Sequence, residues 1–158
     1  MDNSVYTIPL NDIHGKPMAL ENFRGKKILL VNTASECGLT PHYAQLQELY
    51  ENFKDKVVVV GLPCNDFGGQ EPGTEEQIIN FCETNYKITF PLAEKVKILG
   101  DNIHPLYAFL TKKEMNGYAD SEVKWNFQKY LIDENGKLIK VFSPVTEPLS
   151  EEVLDAIG

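Results

Sequence analysis

Two runs of the chain are apolar at nearly every position, Lys27 to Thr33 and Val57 to Leu62. Uninterrupted runs of this length predict strands covered on both faces. Between them Leu39, Tyr43, Leu46, Leu49, Tyr50 and Phe53 recur at helical spacing. Thr40-Pro41 offers a cap and a first-position proline, so a helix is predicted over 40–54. Thr74-Glu75-Glu76-Gln77 reads as a capping box opening a helix over 74–86, with Ile78, Ile79, Phe81 and Cys82 facing inward. His104-Pro105 opens another helix bearing Leu106, Phe109 and Leu110, and Val153, Leu154 and Ile157 mark a closing one.

Three further segments alternate or turn like strands. Val5 to Leu10 and Met18 to Leu20 flank His14-Gly15-Lys16-Pro17, predicting a leading β-hairpin. Phe90-Pro91-Leu92 predicts a short strand. Tyr130-Leu131-Ile132 and Leu138 to Phe142 flank Asp133-Glu134-Asn135-Gly136, predicting a hairpin with an Asn-Gly turn. The early strand–helix–strand unit requires parallel pairing and the late hairpin antiparallel pairing. The sum is an α/β fold with a mixed central sheet flanked by helices. A thioredoxin-like layout satisfies this order, and pattern alone leaves a flavodoxin-like sheet open.

Composition narrows the function. At 158 residues and 42% hydrophobic content the chain is expected to form one domain, residues 1–158. Its 15 basic and 23 acidic residues leave a net charge of −8, which counts against binding nucleic acid or anionic membranes. Neither apolar run is long enough to span a bilayer. The first residues, Met1 to Tyr6, carry no basic start and no apolar stretch of signal-peptide length. Three cysteines, Cys37, Cys64 and Cys82, are too few and odd in number for a disulfide framework. A cytoplasmic location is therefore expected. Their spacing matches no zinc pattern, so no metal is expected.

The candidate chemistry centres on Cys37. It lies between the end of a buried strand and the start of a helix, where ligands of open α/β sheets bind and where helix N–H groups favour an anion. Such a place favours the thiolate, and the small neighbours Ala34, Ser35 and Gly38 leave the sulfur unpacked. The loop Pro63 to Gly73 follows the next parallel strand, so its tip should lie beside Cys37. There Gln70 either aims its amide at the sulfur or is a solvated loop residue. Trp125, the single tryptophan, is either an N–H donor to the thiolate or core packing.

Taken together, Val31-Asn32-Thr33-Ala34-Ser35-Glu36-Cys37-Gly38-Leu39-Thr40, the Pro63–Gly73 loop and Trp125-Asn126-Phe127-Gln128-Lys129-Tyr130-Leu131 resemble the glutathione peroxidase family. The similarity runs from about Tyr6 to Pro144. It implies a thioredoxin fold, with Cys37 as the peroxidatic cysteine and Gln70, Trp125 and Asn126 around its sulfur. It implies that Cys82 is the resolving cysteine of the thioredoxin-dependent branch. A helical cysteine forms such a bond only if its helix opens locally. The short loop between Lys112 and Trp125 implies, by the same resemblance, a monomer reduced by thioredoxin or a related dithiol. The substrates implied are hydrogen peroxide and organic hydroperoxides, with no cofactor. Two alternatives share the chemistry: a peroxide sensor passing its disulfide to a partner, and a glutathione-reduced peroxidase. Other thioredoxin-fold oxidoreductases carry Cys-x-x-Cys, which is absent here.

Several residues depart from the family pattern or fall outside it. Glu36 and Asp66 add negative charge where relatives carry basic or neutral residues, which would oppose a nearby thiolate. His42 is expected on the helix surface, with protonation of a leaving group as the other reading. Cys64 is expected to be structural, His14 a turn residue and His104 a helix cap.

Overall fold

The computed structural model describes residues 3–158. Strands β1 (Lys27–Thr33) and β2 (Val57–Pro63) pair in parallel, Lys27 against Val57 through Thr33 against Pro63. On the other side of β1 lies β3 (Lys129–Ile132), antiparallel, followed by β4 (Leu138–Phe142). The sheet order is β2-β1-β3-β4. The antiparallel pairing of β3 against β1 excludes the all-parallel flavodoxin-like alternative.

Side chains of these strands alternate between two apolar layers. Ile28, Leu30, Val58, Val60, Tyr130 and Ile132 face one, together with helix α3 (Pro105–Thr111) and the N-terminal segment. Leu29, Val31, Val57, Val59 and Leu131 face the other. That layer is closed by α1 (His42–Asn52), α2 (Glu75–Tyr86) and α5 (Glu151–Ile157). Burial on both faces explains why β1 and β2 read as unbroken apolar runs.

The capping box of α2 forms as predicted: Thr74 Oγ1 accepts from Gln77 N–H and Gln77 Oε1 accepts from Thr74 N–H. His104 caps α3 through Nδ1, which accepts from Leu106 N–H at 3.0 Å. The late hairpin turns on Gly136 at φ +85°, with Asp133 Oδ1 accepting from Asn135 and Lys137 N–H. A short α4 (Lys113–Asn116), not predicted, is held by Asn116, whose amide bonds Phe109, Leu110 and Ala119 carbonyls.

Three expectations are corrected. The leading β-hairpin reduces to one bridge, Asn11 to Pro17. Ser4 Oγ accepts from Tyr6 N–H and curls Val5–Thr7 into a 3-10 turn, and Pro9 has no N–H to extend a ladder. Leu20–Phe23 is a second 3-10 turn. Helix α1 begins at His42, later than predicted, because Thr40 serves the preceding turn: its hydroxyl accepts from Cys37 N–H and donates to Ala34 O. Phe90-Pro91-Leu92 contributes only one isolated bridge, Gly61 to Leu92, next to a second from Asp12 to Ala93. No described helix is long and apolar enough to cross a membrane.

Candidate active site

Sheet register brings three loops to one end. Thr33 ends β1 beside Pro63 at the end of β2, and β3 runs antiparallel so that its first residue, Lys129, sits opposite Val31. The loops carrying Cys37, Gln70 and Trp125-Asn126 therefore share the carboxyl edge of β1 and β2, where ligands bind in such sheets.

Cys37 occupies a tight turn. Its N–H donates to Thr40 Oγ1 at 2.9 Å, its carbonyl accepts from Thr40 N–H at 3.0 Å, and its Sγ accepts from Leu39 N–H at 3.3 Å. The sulfur is thus served by the turn itself and not by the first turn of α1, which starts five residues on. The residue is 9% exposed, between exposed Glu36 and Gly38.

Gln70 is tied to this turn and to the third loop. Its carbonyl accepts from Glu36 N–H at 3.0 Å. Its Oε1 accepts from Asn126 Nδ2 at 3.0 Å. Asn126 Nδ2 also reaches Phe67 O at 3.3 Å, which fixes the asparagine amide and leaves Gln70 presenting Nε2 as its free end. Trp125 packs edge-on against Phe67 at 6.1 Å. Its ring also crosses Gly68, where a Cβ would stand 2.8 Å from Cη2. That glycine, at φ +72°, is what lets the indole lie on the loop. The structure thus joins Gln70 to Asn126 directly, and both to the Cys37 turn through Glu36. Among the described residues the hydrogen bond to Sγ comes from Leu39 rather than from any of the three.

The sequence profile of the glutathione peroxidase family matches residues 5–111, about two thirds of the chain. The chain belongs to the glutathione peroxidase family. It is 47% identical over 155 residues to the hydroperoxy fatty acid reductase gpx1 of Synechocystis, covering 93% of this chain and 90% of that one. The crystal structure of Trgpx in apo form superposes with a TM-score of 0.73 at 35% identity, covering 98% of this chain and 95% of that one. The pneumococcal exposed lipoprotein thioredoxin Etrx1 of Streptococcus pneumoniae gives 0.62 at 22% identity, covering 95% and 96%, and shows the thioredoxin-like fold.

Within this glutathione peroxidase fold Cys82 is 1% exposed on α2, a free thiol like Cys37 and Cys64. Burial pushes it up to about 11, and the charge of Glu71 adds to the rise while the Tyr43 hydroxyl opposes it. The Cys82 carbonyl accepts from Lys87 N–H at the helix end and from Ile88 N–H at 3.2 Å. Lys87 itself sits at φ +50°, a left-handed conformation that a non-glycine residue adopts at a cost. Cys64 is fully buried, pushed up to about 12 by burial, with its Sγ accepting from Asp66 N–H at 3.4 Å.

Neither acidic departure bonds the sulfur among the described residues. Glu36 is exposed. Asp66 accepts from Ile98 and Leu99 N–H and pairs with Lys97 at 3.0 Å. Burial alone would raise the Asp66 carboxyl, but those partners hold it below the usual range.

His42 is a correction: it is 7% exposed, not on the surface. Its Nδ1 lies 2.9 Å from the Nζ of Lys129, which also donates to Pro144 O and Thr146 O. Burial first, then the Lys129 charge, lowers the imidazole to about 4, so it carries no proton to give near neutrality. Burial likewise lowers Lys129 to about 7. We expect Lys129→Met to cost about 2–5 kcal/mol, since two carbonyls and a ring nitrogen lose their partner. Between about pH 7 and 10.5 the folded lysine is neutral while the unfolded one still holds its proton, so folding gains stability as pH rises. Urea unfolding should therefore find the wild-type advantage over Lys129→Met larger at pH 9 than at pH 6.5, by about 2 kcal/mol. An equal advantage at both values would refute this.

Sequence reasoning missed the clamp on the third loop. Asn32 on β1 donates from Nδ2 to Trp125 O at 3.1 Å and accepts at Oδ1 from Gln128 N–H at 3.1 Å. Its carbonyl accepts from Phe127 N–H at 2.6 Å. Phe127, fully buried, is thereby held at φ +67°. Such a conformation costs about 1–3 kcal/mol and persists only where its surroundings enforce it. The one available signal was a polar residue inside an apolar strand.

Proposed function

We propose that this chain is a single-domain peroxidase that reduces hydrogen peroxide and organic hydroperoxides through Cys37, with Cys82 as resolving cysteine and a thioredoxin-type dithiol as reductant. The observation that carries the reading is the Gln70–Asn126 pair, which keeps the Gln70 amide N–H groups free beside the Cys37 turn. The Cys37 thiolate attacks the terminal peroxide oxygen. The O–O bond breaks, the sulfur is oxidised to a sulfenic acid, and the alkoxide leaves as an alcohol after taking a proton. Neutral donors suit this step: the Leu39 N–H, the Gln70 amide and the Trp125 indole stabilise negative charge without titrating, while Asn126, whose two amide N–H groups go to Gln70 Oε1 and Phe67 O, positions Gln70. The relative named a hydroperoxy fatty acid reductase supports organic hydroperoxides as substrates.

Cys82 then attacks the Cys37 sulfenic sulfur and water leaves. The left-handed Lys87 at the end of α2 supports local opening of the helix that carries it. A disulfide so formed is reduced by dithiols of the thioredoxin kind, which attack it through a mixed disulfide. The short 112–125 segment, with only the one-turn α4 in it, accords with a monomer.

The test is NADPH-coupled hydroperoxide reduction by the wild-type protein, with thioredoxin and thioredoxin reductase in one arm and glutathione and glutathione reductase in the other. Turnover at least about 10-fold faster in the thioredoxin arm is expected. Equal rates in both arms would overturn the choice of reductant. Oxidation of thioredoxin that stops at one equivalent would favour a sensor.

A further inference from the structure

Among the described residues Glu71 is the one acidic side chain in the buried set, 1% exposed. It follows Gln70 directly and is held from the Cys37 side: Ser35 Oγ donates to its Oε2 at 3.0 Å, and its own N–H donates to Asn65 Oδ1 at 2.9 Å. It borders an open cavity of about 420 Å³. Ser35 and Glu36, just before Cys37 in the chain, line that cavity together with Ile78 and Phe81 of α2. Ile78 lies one helical turn before Cys82 and shares its face. The charge of Glu71 is felt at the Cys82 thiol and at the Tyr43 hydroxyl. A carboxyl therefore borders the gap between the Ser35–Glu36 segment, next to Cys37 in the chain, and the helix that carries Cys82.

We propose that Glu71 is the proton acceptor for Cys82 in the resolving step. The inference rests on the reading that Cys82 resolves the sulfenic acid. The Cys82 S–H bond breaks and its proton moves to the Glu71 carboxylate. The Cys82 sulfur forms the S–S bond to Cys37 as the S–O bond of the sulfenic acid breaks. The departing hydroxide takes the proton back from Glu71 and leaves as water. Cys82 is oxidised and the Cys37 sulfenic sulfur reduced, so no further oxidant is required.

Two physical arguments favour this assignment. A thiol pushed up to about 11 is ionised in only about one molecule in 10⁴ at pH 7, so unaided attack is slow. Repulsion also opposes the thiolate while Glu71 is charged, and it disappears when Glu71 takes the proton. Only one negative charge then occupies the gap at any moment. The carboxyl is suited to exchange protons near neutrality: burial pushes it up to about 7. The Ser35 hydrogen bond and the Lys95 charge act against that rise, and Glu36 adds to it. The groups around it are thus Ser35 and Glu36 after β1, Asn65 in its own loop, Lys95 beyond α2, Tyr43 on α1 and Cys82 on α2.

Stopped-flow oxidation with excess hydrogen peroxide, read by the fluorescence of the single Trp125, separates the steps. Cys37 oxidation depends on peroxide concentration and disulfide formation does not. In the wild type the second phase should rise through an inflection near pH 7. Glu71→Gln should slow that phase at least about 10-fold and flatten its pH profile, with the first phase changed less than about threefold; Glu71→Asp should restore part of the rate. The proposal is overturned if the wild-type second phase lacks the inflection. It is overturned equally if Glu71→Gln keeps the inflection, or slows both phases alike with unchanged profiles, as a packing defect would. A second phase persisting in Cys82→Ser would instead refute the resolving role of Cys82. The wild-type profile decides the matter even if the Gln variant does not fold, which near-ultraviolet circular dichroism reports.

Discussion

Cys37→Ser is expected to abolish hydroperoxide consumption, a loss of about 10⁴-fold or more, with the fold intact. The exchange alters one atom of a residue that is 9% exposed and leaves its backbone hydrogen bonds with Thr40 in place. Stability should change by less than about 1 kcal/mol. What is lost is the nucleophile. The Leu39 N–H that reaches the sulfur at 3.3 Å would remain, but a serine hydroxyl is too weak a nucleophile to attack a peroxide near neutral pH. Peroxide loss measured against a no-protein blank, alongside a circular dichroism spectrum, checks both halves. Retained consumption would dismiss Cys37 as the reacting group and the site with it.

Cys82→Ser should separate chemistry from turnover. We expect thioredoxin-driven turnover to fall at least about 100-fold, while each chain still consumes one equivalent of peroxide and gains one oxygen by mass. Cys64 offers no substitute: it is fully buried, pushed up to about 12, and its sulfur is engaged by the Asp66 N–H. Mass spectrometry after one equivalent of peroxide, with a sulfenic-acid trap present, distinguishes the outcomes. Wild-type-like thioredoxin turnover in the variant would remove Cys82 from the cycle.

What the sequence disclosed follows from the range over which each feature is encoded. The β1 and β2 runs, the Thr74–Gln77 capping box and the Asn135-Gly136 turn are local, and each appears in the structure within a residue or two. Placing Cys37 and the Gln70 loop at one edge needed only the rule that parallel strands end together. Val5 to Leu10 misled because a serine–amide bond over two residues outweighed a strand-like composition. Thr40 misled because its hydroxyl faces backward to Ala34 and Cys37 instead of forward into the helix. The Lys129–His42 contact spans 87 residues and the Asn32–Gln128 clasp 96, distances over which no periodicity speaks. Glu71, one letter in a glycine-rich loop, shows its burial only once α2 is packed beside it.

The end of α2 carries one more implication. The carbonyl that receives the Lys87 and Ile88 N–H groups belongs to Cys82 itself. Fraying of that terminus would loosen the residue that carries the thiol, and on the proposed cycle its frequency would set how long a Cys37 sulfenic acid waits. During that wait a second peroxide molecule would compete to carry the sulfur on to the irreversible sulfinic state. On that cycle the left-handed lysine would act as a clock on damage, setting the peroxide dose at which the protein ceases to recover.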